Sequence, residues 1–566
     1  MNILGILPIR HDTSVALVQD GRLISAVEEE RFVRVKHTET FPTNSIIWTL
    51  AANNLKPSDI DAIAIPWELG LLRRSLVYSF PYILQFLRGK ANLAKFAYSV
   101  YWALVGDRER HPALNKVSAT CQILHYEHHL AHAASVYFTS GHDSAAILTV
   151  DGGGELDSTV IWRAGNGRIE PIYRKKFNES LGMFYDAGTM YLGFPNSIED
   201  AGKTMGYAPY GKEESAAPYR RLSEILRVSD DDYKISGVSK SVAHAEEHLP
   251  YLRIMERMFG ERFNSKPDPS DPKASGFAFA IQELLEDAMM ALARRAKSET
   301  NSNHLLMAGG VALNAKANMA IRQSGLYDDV FIFPAPNDGG VAVGAAFLAA
   351  QELGDKPKNE ALHHAYLGPK YSPHEIERQL DLLKVKYTKV TDVPDKICAK
   401  LENGDLVAYF EGSMELGPRA LGHRSILADP RKLDMWTKVN IIKGRELWRP
   451  LAPSILIERT KEYYDDGSES PFMVMMYKGN ELARKSAPAV THIDDTARIQ
   501  TVRRDVSPNY YSIISEFERR TGVPIVMNTS FNLAAELLIN TPREAVRCFY
   551  TSGITTLILD DYMIQK

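Results

Sequence analysis

Residues Glu127 to Glu155 read EHHLAHAASVYFTSGHDSAAILTVDGGGE, and the fold prediction starts from this stretch. His128 and His132 lie four residues apart in an alanine-rich segment that favours a helix, so both imidazoles project from one helical face and can bind a single ion. The apolar run 145–150 predicts a buried strand that opens at Asp151 into a glycine-rich loop. Each feature alone is common in ordinary structure. Together they favour a metal site at a strand end.

The same stretch argues against a zinc protease. In the H-E-x-x-H motif of those enzymes, a glutamate follows the first histidine and acts as the general base. Here His129 follows His128, and Leu130 follows His129. The residue that a protease mechanism needs is therefore missing.

The length and composition indicate a multidomain protein that acts on small molecules. At 566 residues the chain exceeds what one hydrophobic core usually supports. A net charge of −4 gives no electrostatic basis for a nucleic-acid partner. Three scattered cysteines suggest a reducing compartment, so we expect a cytoplasmic protein. No secretory signal is expected, and no membrane helix, because charges interrupt every long apolar region.

The chain opens with signals for a three-stranded β-meander, including a hairpin turn at Asp20-Gly21. His11 and Asp12 lie between the first two strands, at a sheet end where sites gather in layered α/β domains; a plain polar turn is the alternative. The charged segment 28–36 is expected to be mostly solvated. Residues 68–112 predict a helical insertion, either a solvent-facing helical pair or a lid.

Glycines recur where predicted strands end, and such loops let phosphates approach the backbone. These positions are Gly153 and the pair Gly309 and Gly310, which is followed by Asn314. Gly202 with Lys203 instead follows a helix predicted at 181–192, and its glycine and lysine suit phosphate or ribose contact. The segment around Gly202 lacks the Walker spacing and is weak evidence alone. Aspartates at strand ends, Asp151 and Asp338, accompany the glycines in two β/α halves. This pattern predicts the duplicated actin-like ATPase fold.

A charged, proline-containing linker at 354–364 is predicted before a second α/β domain. In that domain, arginines recur within three rigid motifs: GPRALGHRS at 417–425, WRPLAPS at 448–454 and TARIQTV at 496–502. A fourth motif, NTSFN at 528–532, contains no arginine. Guanidinium groups in such contexts suit bidentate capture of phosphate. Arg431 and Arg445 fit better as ordinary surface arginines.

With these motifs in order, and with HDTS, EEERF, HHLAHAASVYF, VDGGGE, AGKTMG and AGGVALNA before them, the chain resembles the NodU/CmcH family of O-carbamoyltransferases over nearly its whole length. The resemblance implies a duplicated actin-like (ASKHA, TsaD-like) domain at 1–355. It also implies a YrdC-like α/β domain at 356–566. One departure follows NTSFN, where Ala535 and Leu537 replace the glycine and proline usual in the family.

The resemblance further implies roles for individual residues. An iron site maps onto His128, His132, Asp151 and Asp338, a ligand set that suits Fe(II) or another divalent metal. His11, beside Asp12, matches a histidine that we take as the general base. Lys36 matches a lysine that contacts the adenylate, and the glycine positions Gly153, Gly202, Gly309 and Gly310 with Lys203 and Asn314 are expected at the nucleotide. Carbamoyl-phosphate binding is implied for Arg419, His423, Arg449, Arg498, Asn528 and Asn532.

The implied reaction has two steps. The second domain would make carbamoyl adenylate from carbamoyl phosphate and ATP with Mg(II). The first would transfer the carbamoyl group to a hydroxyl of a small-molecule acceptor, a natural product such as an antibiotic or a sugar. Two alternatives are an actin-like small-molecule kinase and a non-enzymatic nucleotide-binding assembly protein. A homodimer is left open.

Overall fold

The computed structural model describes residues 1–68, 121–239, 247–263, 267–534 and 536–566. The chain forms two units, of which the first comprises Met1–Ala26 and Glu39–Leu362, and the second comprises Val27–Thr38 and His363–Lys566. The helical insertion expected at 68–112 lies outside the described residues apart from Glu68, and so does Ala535. Of the helices in the described ranges, none has the length and apolar character that a membrane span requires.

The first unit begins with a five-stranded sheet. Its strands are β1 (Asn2–Leu7), β2 (Ser14–Gln19), β3 (Arg22–Glu28), β4 (Ala62–Ile65) and β5 (Gln122–His125), in the order β3-β2-β1-β4-β5. Strand β1 pairs antiparallel with β2 and parallel with β4, which pairs parallel with β5. Asp20 and Gly21 adopt φ angles of 49° and 73° in the turn between β2 and β3. The predicted hairpin turn is confirmed.

The second sheet repeats the first. Its strands are β6 (Ser144–Val150), β7 (Asp157–Gly165), β8 (Arg168–Lys176), β11 (His304–Ala308) and β12 (Asp329–Ile332), while β9 (Leu226–Val228) and β10 (Tyr233–Ile235) form a separate hairpin. The order is β12-β11-β6-β7-β8, with β6 antiparallel to β7 and parallel to β11, and β11 parallel to β12. The two sheets share one strand order and one pattern of parallel and antiparallel pairing. This repetition confirms the duplicated actin-like fold.

Several of the α-helices in the described residues carry site residues. In chain order the helices are α1 (Glu30–Val33), α2 (Thr43–Ala52), α3 (His128–Tyr137), α4 (Leu181–Tyr191), α5 (Ser197–Tyr207), α6 (Ala216–Leu222), α7 (Leu249–Phe259), α8 (Pro272–Thr300), α9 (Ala315–Gln323), α10 (Val341–Glu352), α11 (Pro373–Leu382), α12 (Val393–Glu402), α13 (Asp434–Ile442), α14 (Thr460–Tyr463), α15 (Glu481–Ser486), α16 (Pro508–Thr521) and α17 (Pro542–Tyr550).

Helix α10 packs between the first sheet and α3 at very short range. It contacts β1, β2, β4 and α3, and its sequence, VAVGAAFLAAQE, is almost entirely small or apolar. A Cβ atom at Gly344 would lie 1.8 Å from the carbonyl oxygen of Ala131 in α3, and a Cβ at Gly5 in β1 would lie 1.9 Å from the carbonyl oxygen of Ala342. Glycine at both positions therefore lets these backbones touch.

The second unit is built on a mixed eight-stranded sheet. Its strands are β13 (Thr388–Lys389), β14 (Val407–Phe410), β15 (Arg424–Ala428), β16 (Ala452–Leu456), β19 (Gln500–Val502), β20 (Ile525–Ser530), β21 (Thr556–Leu559) and β22 (Tyr562–Gln565), and β17 (Tyr477–Lys478) pairs with β18 (Thr496–Ala497) apart from it. The order is β13-β22-β21-β14-β15-β20-β16-β19. The predicted α/β character of the second domain is confirmed.

The segment Val27–Thr38 belongs to this second unit, although it begins within the last residues of β3 of the first sheet. Arg31 donates to the carbonyl oxygen of Gly417 at 2.8 Å, and Arg34 donates to the carbonyl oxygens of Leu538 at 2.8 Å and Leu537 at 3.0 Å. Glu28 to Arg31 are all buried. The expectation that the charges of this segment are mostly solvated is wrong for these four residues, because Arg31 is paired with Glu28 and Glu30.

The close approach at Gly344 yields a stability prediction. In Gly344→Ala the methyl group would meet backbone atoms of α3, which cannot rotate away, so we expect the free energy of unfolding to fall by about 2 kcal/mol or more. The matched control is Gly202→Ala in α5, where a Cβ would meet nothing within 4 Å. The control should gain up to about 1 kcal/mol from helix propensity. Chemical denaturation measures both, and a Gly344→Ala protein as stable as the control would contradict the packing argument.

Candidate functional site

Four side chains predicted as metal ligands meet in the first unit. Nε2 of His128 lies 3.5 Å from Oδ2 of Asp151 and 3.4 Å from Oδ1 of Asp338. Nε2 of His132 lies 3.6 Å from the same oxygen of Asp338 and 4.0 Å from Oδ2 of Asp151. All four residues are buried, and their ligand atoms lie within 4.8 Å of one another. The four predicted ligands therefore form one cluster.

Helix α3 places its two histidines on one face, because they lie four residues apart. His128 is the first residue of the helix, and His132 follows one turn later. The buried carboxylate of Glu155 accepts hydrogen bonds from the N–H of His128 at 3.1 and 3.2 Å and from the N–H of Glu68 at 2.9 Å. An anion at this end stabilises a helix. Trp67 stacks on the His128 ring at 4.4 Å and limits its rotation.

The two carboxylates reach the cluster from strand ends. Oδ1 of Asp151, just after β6, accepts a hydrogen bond from the N–H of Gly310 at 2.7 Å, which leaves Oδ2 toward the histidines. A Cβ at Gly310 would lie 2.8 Å from Oδ1 of Asp151. The N–H of Gly309 is bonded to the carbonyl of Pro336 at 2.7 Å. Both N–H groups of this glycine pair are therefore engaged within the protein, and nucleotide binding at Gly309 and Gly310 stays a prediction.

The cluster has the chemistry of a divalent metal site. The Nε2 atoms of His128 and His132 face each other at 3.1 Å, and Oδ1 of Asp338 has no hydrogen-bond partner among the described residues. Burial lowers the pKa of His128, but Asp338 and Asp151 outweigh this and raise it to about 10. Burial raises the pKa of Asp338, but His128 and His11 hold it well below its usual range. A shared cation would satisfy all four groups, so the residues fit a metal ion such as Fe(II).

His11 and Asp12, the predicted catalytic pair, lie in a turn tied to the same cluster. Arg10 and Asp12 adopt φ angles of 65° and 63°, which are uncommon for residues with side chains. Oδ2 of Asp12 accepts a hydrogen bond from Asn337 at 3.0 Å and lies 3.1 Å from Nδ1 of His11. Burial lowers the pKa of His11, but Asp338 and Asp12 raise it to about 10. The turn and the loop that carries Asp338 are thus joined through Asn337.

Asp186 in α4 is a residue that sequence reasoning missed. Burial raises its pKa to about 7, and it interacts electrostatically with His11 and Asp151. Its signal in the sequence is a single carboxylate within the otherwise uncharged helix LGMFYDAGTMY. The residue adds a further carboxylate to Asp12, Asp151 and Asp338 in the surroundings of His11.

The predicted nucleotide contacts at Gly202 and Lys203 lie on one helix. Gly202 is exposed in the interior of α5, and Nζ of Lys203 pairs with Oδ1 of Asp200 at 2.8 Å. The segment is thus helical rather than a glycine loop. Its contact with a nucleotide stays a prediction.

Asn314 and Gly153 have clear structural roles. Oδ1 of Asn314 caps α9 by accepting from the N–H of Ala317 at 3.0 Å, and it also accepts from Nε2 of Gln282 at 2.9 Å. A Cβ at Gly153 would lie 2.0 Å from the Phe177 ring, so glycine is needed there for packing. Binding of a nucleotide by either residue stays a prediction.

A cluster of cations in the second unit contains three of the predicted carbamoyl-phosphate residues. Its members, called the cation cluster below, are Arg419, Lys443, Arg445, Arg449 and Arg498. Burial, with repulsion from Arg449, lowers the pKa of Arg419 to about 10 and that of Arg445 to about 9. Burial and repulsion from its three arginine neighbours hold the pKa of Arg498 well below its usual range. Nε of Arg419, Nη2 of Arg445 and Nε of Arg498 are buried without a hydrogen-bond partner among the described residues.

Two members of the cation cluster, Lys443 and Arg445, were not predicted. The expectation that Arg445 is an ordinary surface arginine holds only in part, because the residue is half-buried and its Nη2 atom is fully buried beside like charges. Arg431 fits the expectation better, since it forms a bidentate pair with Asp429. The sequence does carry a signal, because KGRELWRP places three cations within seven residues.

Lys443 holds the NTSFN loop at the edge of the cation cluster. Its Nζ donates to Oδ1 of Asn532 at 2.7 Å, to the carbonyl of Asn532 at 3.0 Å and to Oγ of Ser530 at 3.2 Å. Burial and repulsion from the neighbouring arginines and from Lys36 hold the pKa of Lys443 well below its usual range. Contact of Lys36 with the adenylate stays a prediction.

Asn528 lies in a buried amide and hydroxyl network. Its Nδ2 donates to Oε1 of Gln500 at 3.0 Å and to Oγ of Ser454 at 3.1 Å. Its Oδ1 is buried with no hydrogen-bond partner among the described residues. An unsatisfied buried acceptor suits a ligand that donates, such as a carbamoyl NH₂ group.

His423 supports the loop that carries Arg419. Its Nδ1 lies 2.7 Å from the carbonyl oxygen of Ser413, and its ring stacks on Tyr366 with 3.6 Å between centroids. Burial lowers the pKa of His423. Neither of these partners belongs to the cation cluster. Binding of carbamoyl phosphate by His423 stays a prediction.

Comparison with known proteins identifies relatives along the whole chain. The family model described as carbamoyltransferase N-terminus matches residues 2–347, and the model described as carbamoyltransferase C-terminus matches residues 398–566. An uncharacterized protein of Synechocystis sp. is 33% identical over 100% of this chain and 97% of its own length. Nodulation protein NolNO of Sinorhizobium fredii is 34% identical over 98% of this chain and 79% of its own length. Nodulation protein NolO of Bradyrhizobium diazoefficiens is 34% identical, with 78% of each chain covered.

The metal cluster, meaning the four candidate ligands His128, His132, Asp151 and Asp338, yields a binding prediction. His132→Ala removes one of four ligands, and we expect the affinity for Fe(II), titrated anaerobically, to fall by at least about 100-fold. The control is His142→Ala, because Nε2 of His142 pairs with Asp329 at 2.8 Å outside the cluster. Metal content after desalting reports both. If His132→Ala retained one equivalent of metal, as the control should, the cluster would not be the binding site.

Proposed function

The chain belongs to the NodU family of carbamoyltransferases, and we propose that its second unit makes carbamoyl adenylate from carbamoyl phosphate and ATP, while its first unit transfers the carbamoyl group to a hydroxyl of a small-molecule acceptor. The observation that carries the first step is the cation cluster, in which Nε of Arg419, Nη2 of Arg445 and Nε of Arg498 are buried without a hydrogen-bond partner among the described residues. Buried charges that are unpaired are costly unless a ligand of opposite charge is bound. Natural products and sugars are the proposed acceptor class.

The first step consumes two phosphate compounds. Water cleaves the bond between the carbamoyl carbon and the phosphate oxygen, giving carbamate and inorganic phosphate. A carbamate oxygen then attacks the α-phosphorus of ATP, bound with Mg(II), and pyrophosphate leaves with the electron pair. Arg419, Arg449 and Arg498 would bind the phosphoryl oxygens, and Lys36 the adenylate. Because carbamate decomposes in water, enclosing it beside the cation cluster has a physical reason.

The second step forms the carbamate ester. The acceptor oxygen attacks the carbamoyl carbon, AMP leaves, and the hydroxyl proton must go to a base. We assign that proton to Nε2 of His11, because Nδ1 is oriented by Asp12 at 3.1 Å. With its pKa raised to about 10, His11 is protonated at neutral pH, so it acts as a base only when the charge of the nearby carboxylates is offset.

The metal cluster would hold a divalent cation next to this base. His128, His132, Asp151 and Asp338 are the proposed ligands, and Fe(II) is the proposed ion. When bound, such a cation supplies Lewis-acid polarisation to an oxygen of the substrate. The protein's own contribution is to exclude water and to fix the positions of His11 and Asp12.

The products of an incubation with ATP and carbamoyl phosphate test the proposal. The full chain should form AMP and pyrophosphate only when carbamoyl phosphate is present, because the adenylate is hydrolysed when no acceptor is supplied. Formation of ADP would instead support a kinase. No nucleotide turnover would contradict both and favour an assembly protein. Chromatography of the nucleotides distinguishes these outcomes.

Arg449→Ala gives a quantitative prediction for the first step. The Arg449 side chain is 32% exposed, and Glu446 lies 3.8 Å from it. Loss of a charge-assisted contact to phosphate should cost about 2 kcal/mol or more, which lowers AMP formation about 30-fold. Arg459→Ala is the matched control, because Arg459 pairs with Glu462 and Glu518 away from the cluster. Equal rates in the two variants would show that Arg449 does not contact the reacting phosphates.

A further inference from the structure

Asp186 lies on the face of α4 that the described parts of the chain leave open. Helices α5, α7 and α8 pack against α4, and seven of its eleven residues are buried. Gly182, Met183, Asp186 and Met190 are half-buried instead, and their successive spacings of one, three and four residues place them along one side of the helix. This open face therefore presents one carboxylate flanked by two methionines.

The open face of α4 starts at the loop after β6, which carries a metal ligand. Ser180 caps the helix, and its Oγ donates to the carbonyl oxygen of Gly152 in that loop at 2.8 Å. A Cβ at Gly182 would lie 2.8 Å from the backbone nitrogen of Gly152, and a Cβ at Gly152 would lie 3.1 Å from Cε of Met183. Asp186 follows Gly182 by four residues, so it lies about 6 Å further along the helix axis.

The carboxylate of Asp186 has charged neighbours but no hydrogen-bond partner among the described residues. It interacts electrostatically with His11, Asp151 and Glu247. An aspartate in the interior of a helix is unfavourable, and so is a half-buried carboxylate that accepts no hydrogen bond. The described packing of α4 therefore does not require this side chain, and a role in ligand binding is the alternative.

His11 connects Asp186 with the transfer step. Nδ1 of His11 is oriented by Asp12 at 3.1 Å, so a reacting hydroxyl approaches the other ring nitrogen, Nε2. Burial raises the pKa of Asp186 and the charge of His11 lowers it, which places the two side chains near each other. An acceptor whose hydroxyl meets Nε2 of His11 therefore brings its neighbouring substituents to the open face of α4.

We propose that Asp186 determines specificity for the acceptor by accepting a hydrogen bond from a hydroxyl next to the one that is carbamoylated. Met183 and Met190 contact the carbon skeleton that carries both hydroxyls. This inference rests on the proposed function and narrows its acceptor class to vicinal diols, such as those of a sugar or cyclitol ring. A carboxylate only accepts hydrogen bonds, so a simple alcohol bound at His11 leaves Asp186 unsatisfied, whereas a diol satisfies it.

The test compares cis-1,2-cyclohexanediol with cyclohexanol on the full chain, because these probes differ by one hydroxyl on the same ring. Saturation-transfer NMR gives the Kd of each probe. Mass spectrometry of the carbamoylated product, formed with ATP and carbamoyl phosphate, gives kcat/KM. We expect the wild type to prefer the diol at least tenfold in both quantities, and Asp186→Ala to reduce this preference to less than twofold.

Glu283→Ala is the matched control. Glu283 is a half-buried carboxylate of α8 whose pKa is raised by burial and by Asp287, and its removal should leave the preference for the diol unchanged. Asp186→Asn keeps one acceptor oxygen and should show an intermediate preference. Should Asp186→Ala fail to fold, Asp186→Asn replaces it, with a threefold loss of preference as the threshold.

Thermal unfolding separates specificity from a structural role. The melting temperature of Asp186→Ala should equal or exceed that of the wild type, because the substitution removes an unsatisfied carboxylate and improves helix propensity. A lower melting temperature with an unchanged preference for the diol would overturn the proposal.

AMP formation without an acceptor keeps this inference apart from the proposed function. That reaction is assigned to the second unit, so Asp186→Ala should form AMP at the wild-type rate. A wild type that binds both probes equally, or the same preference in Asp186→Ala, would refute the role of Asp186 even where AMP forms. If the wild type forms no AMP but its preference for the diol depends on Asp186, the diol contact stands and the proposed reaction fails.

Discussion

The contact between the backbones of α10 and α3 is the constraint on which the site of the first unit depends. At Gly344 the two helices approach so closely that a methyl group has no room. Asp338 lies immediately before α10, and the two histidines lie on α3, so this approach brings a carboxylate to within 3.4 Å of an imidazole. Close packing of this kind tolerates little displacement. The metal cluster is thus a consequence of helix packing rather than of a flexible loop.

The two units present opposite electrostatic problems. In the first, two carboxylates and two imidazoles are buried together. The carboxylates raise the pKa of His128, and His128 lowers the pKa of Asp338. In the second, buried cations repel one another, and the pKa values of Arg419, Arg445 and Arg498 are all lowered. Burying a charge without a partner costs several kcal/mol. Repulsion between these cations therefore lowers the stability of the second unit, and a bound anion would reduce that repulsion. Anion binding and folding stability are linked in this way.

The sequence predicted what depends on local spacing. The four-residue interval of His128 and His132 predicted a helix that carries both, and the apolar run before Asp151 predicted a buried strand that ends there; the structure confirms both elements. The burial of Glu28 to Arg31 and the clustering of Arg445 were not predictable in this way. Each depends on a partner far along the chain, such as Gly417 for Arg31. Hydropathy treats a charged residue as solvated unless the element that covers it is known.

The arginines of the second unit divide by the chemistry of their partners. Arg31 and Arg431 are bound by carboxylates, which neutralise them, and their roles are structural. Arg445 is bound by the amide of Asn440, and Lys443 is bound by the oxygens of residues 530 and 532. A neutral acceptor orients a cation without neutralising it. This difference in partners separates neutralised arginines from cations that are held by neutral groups, where the sequence alone shows only recurring arginine.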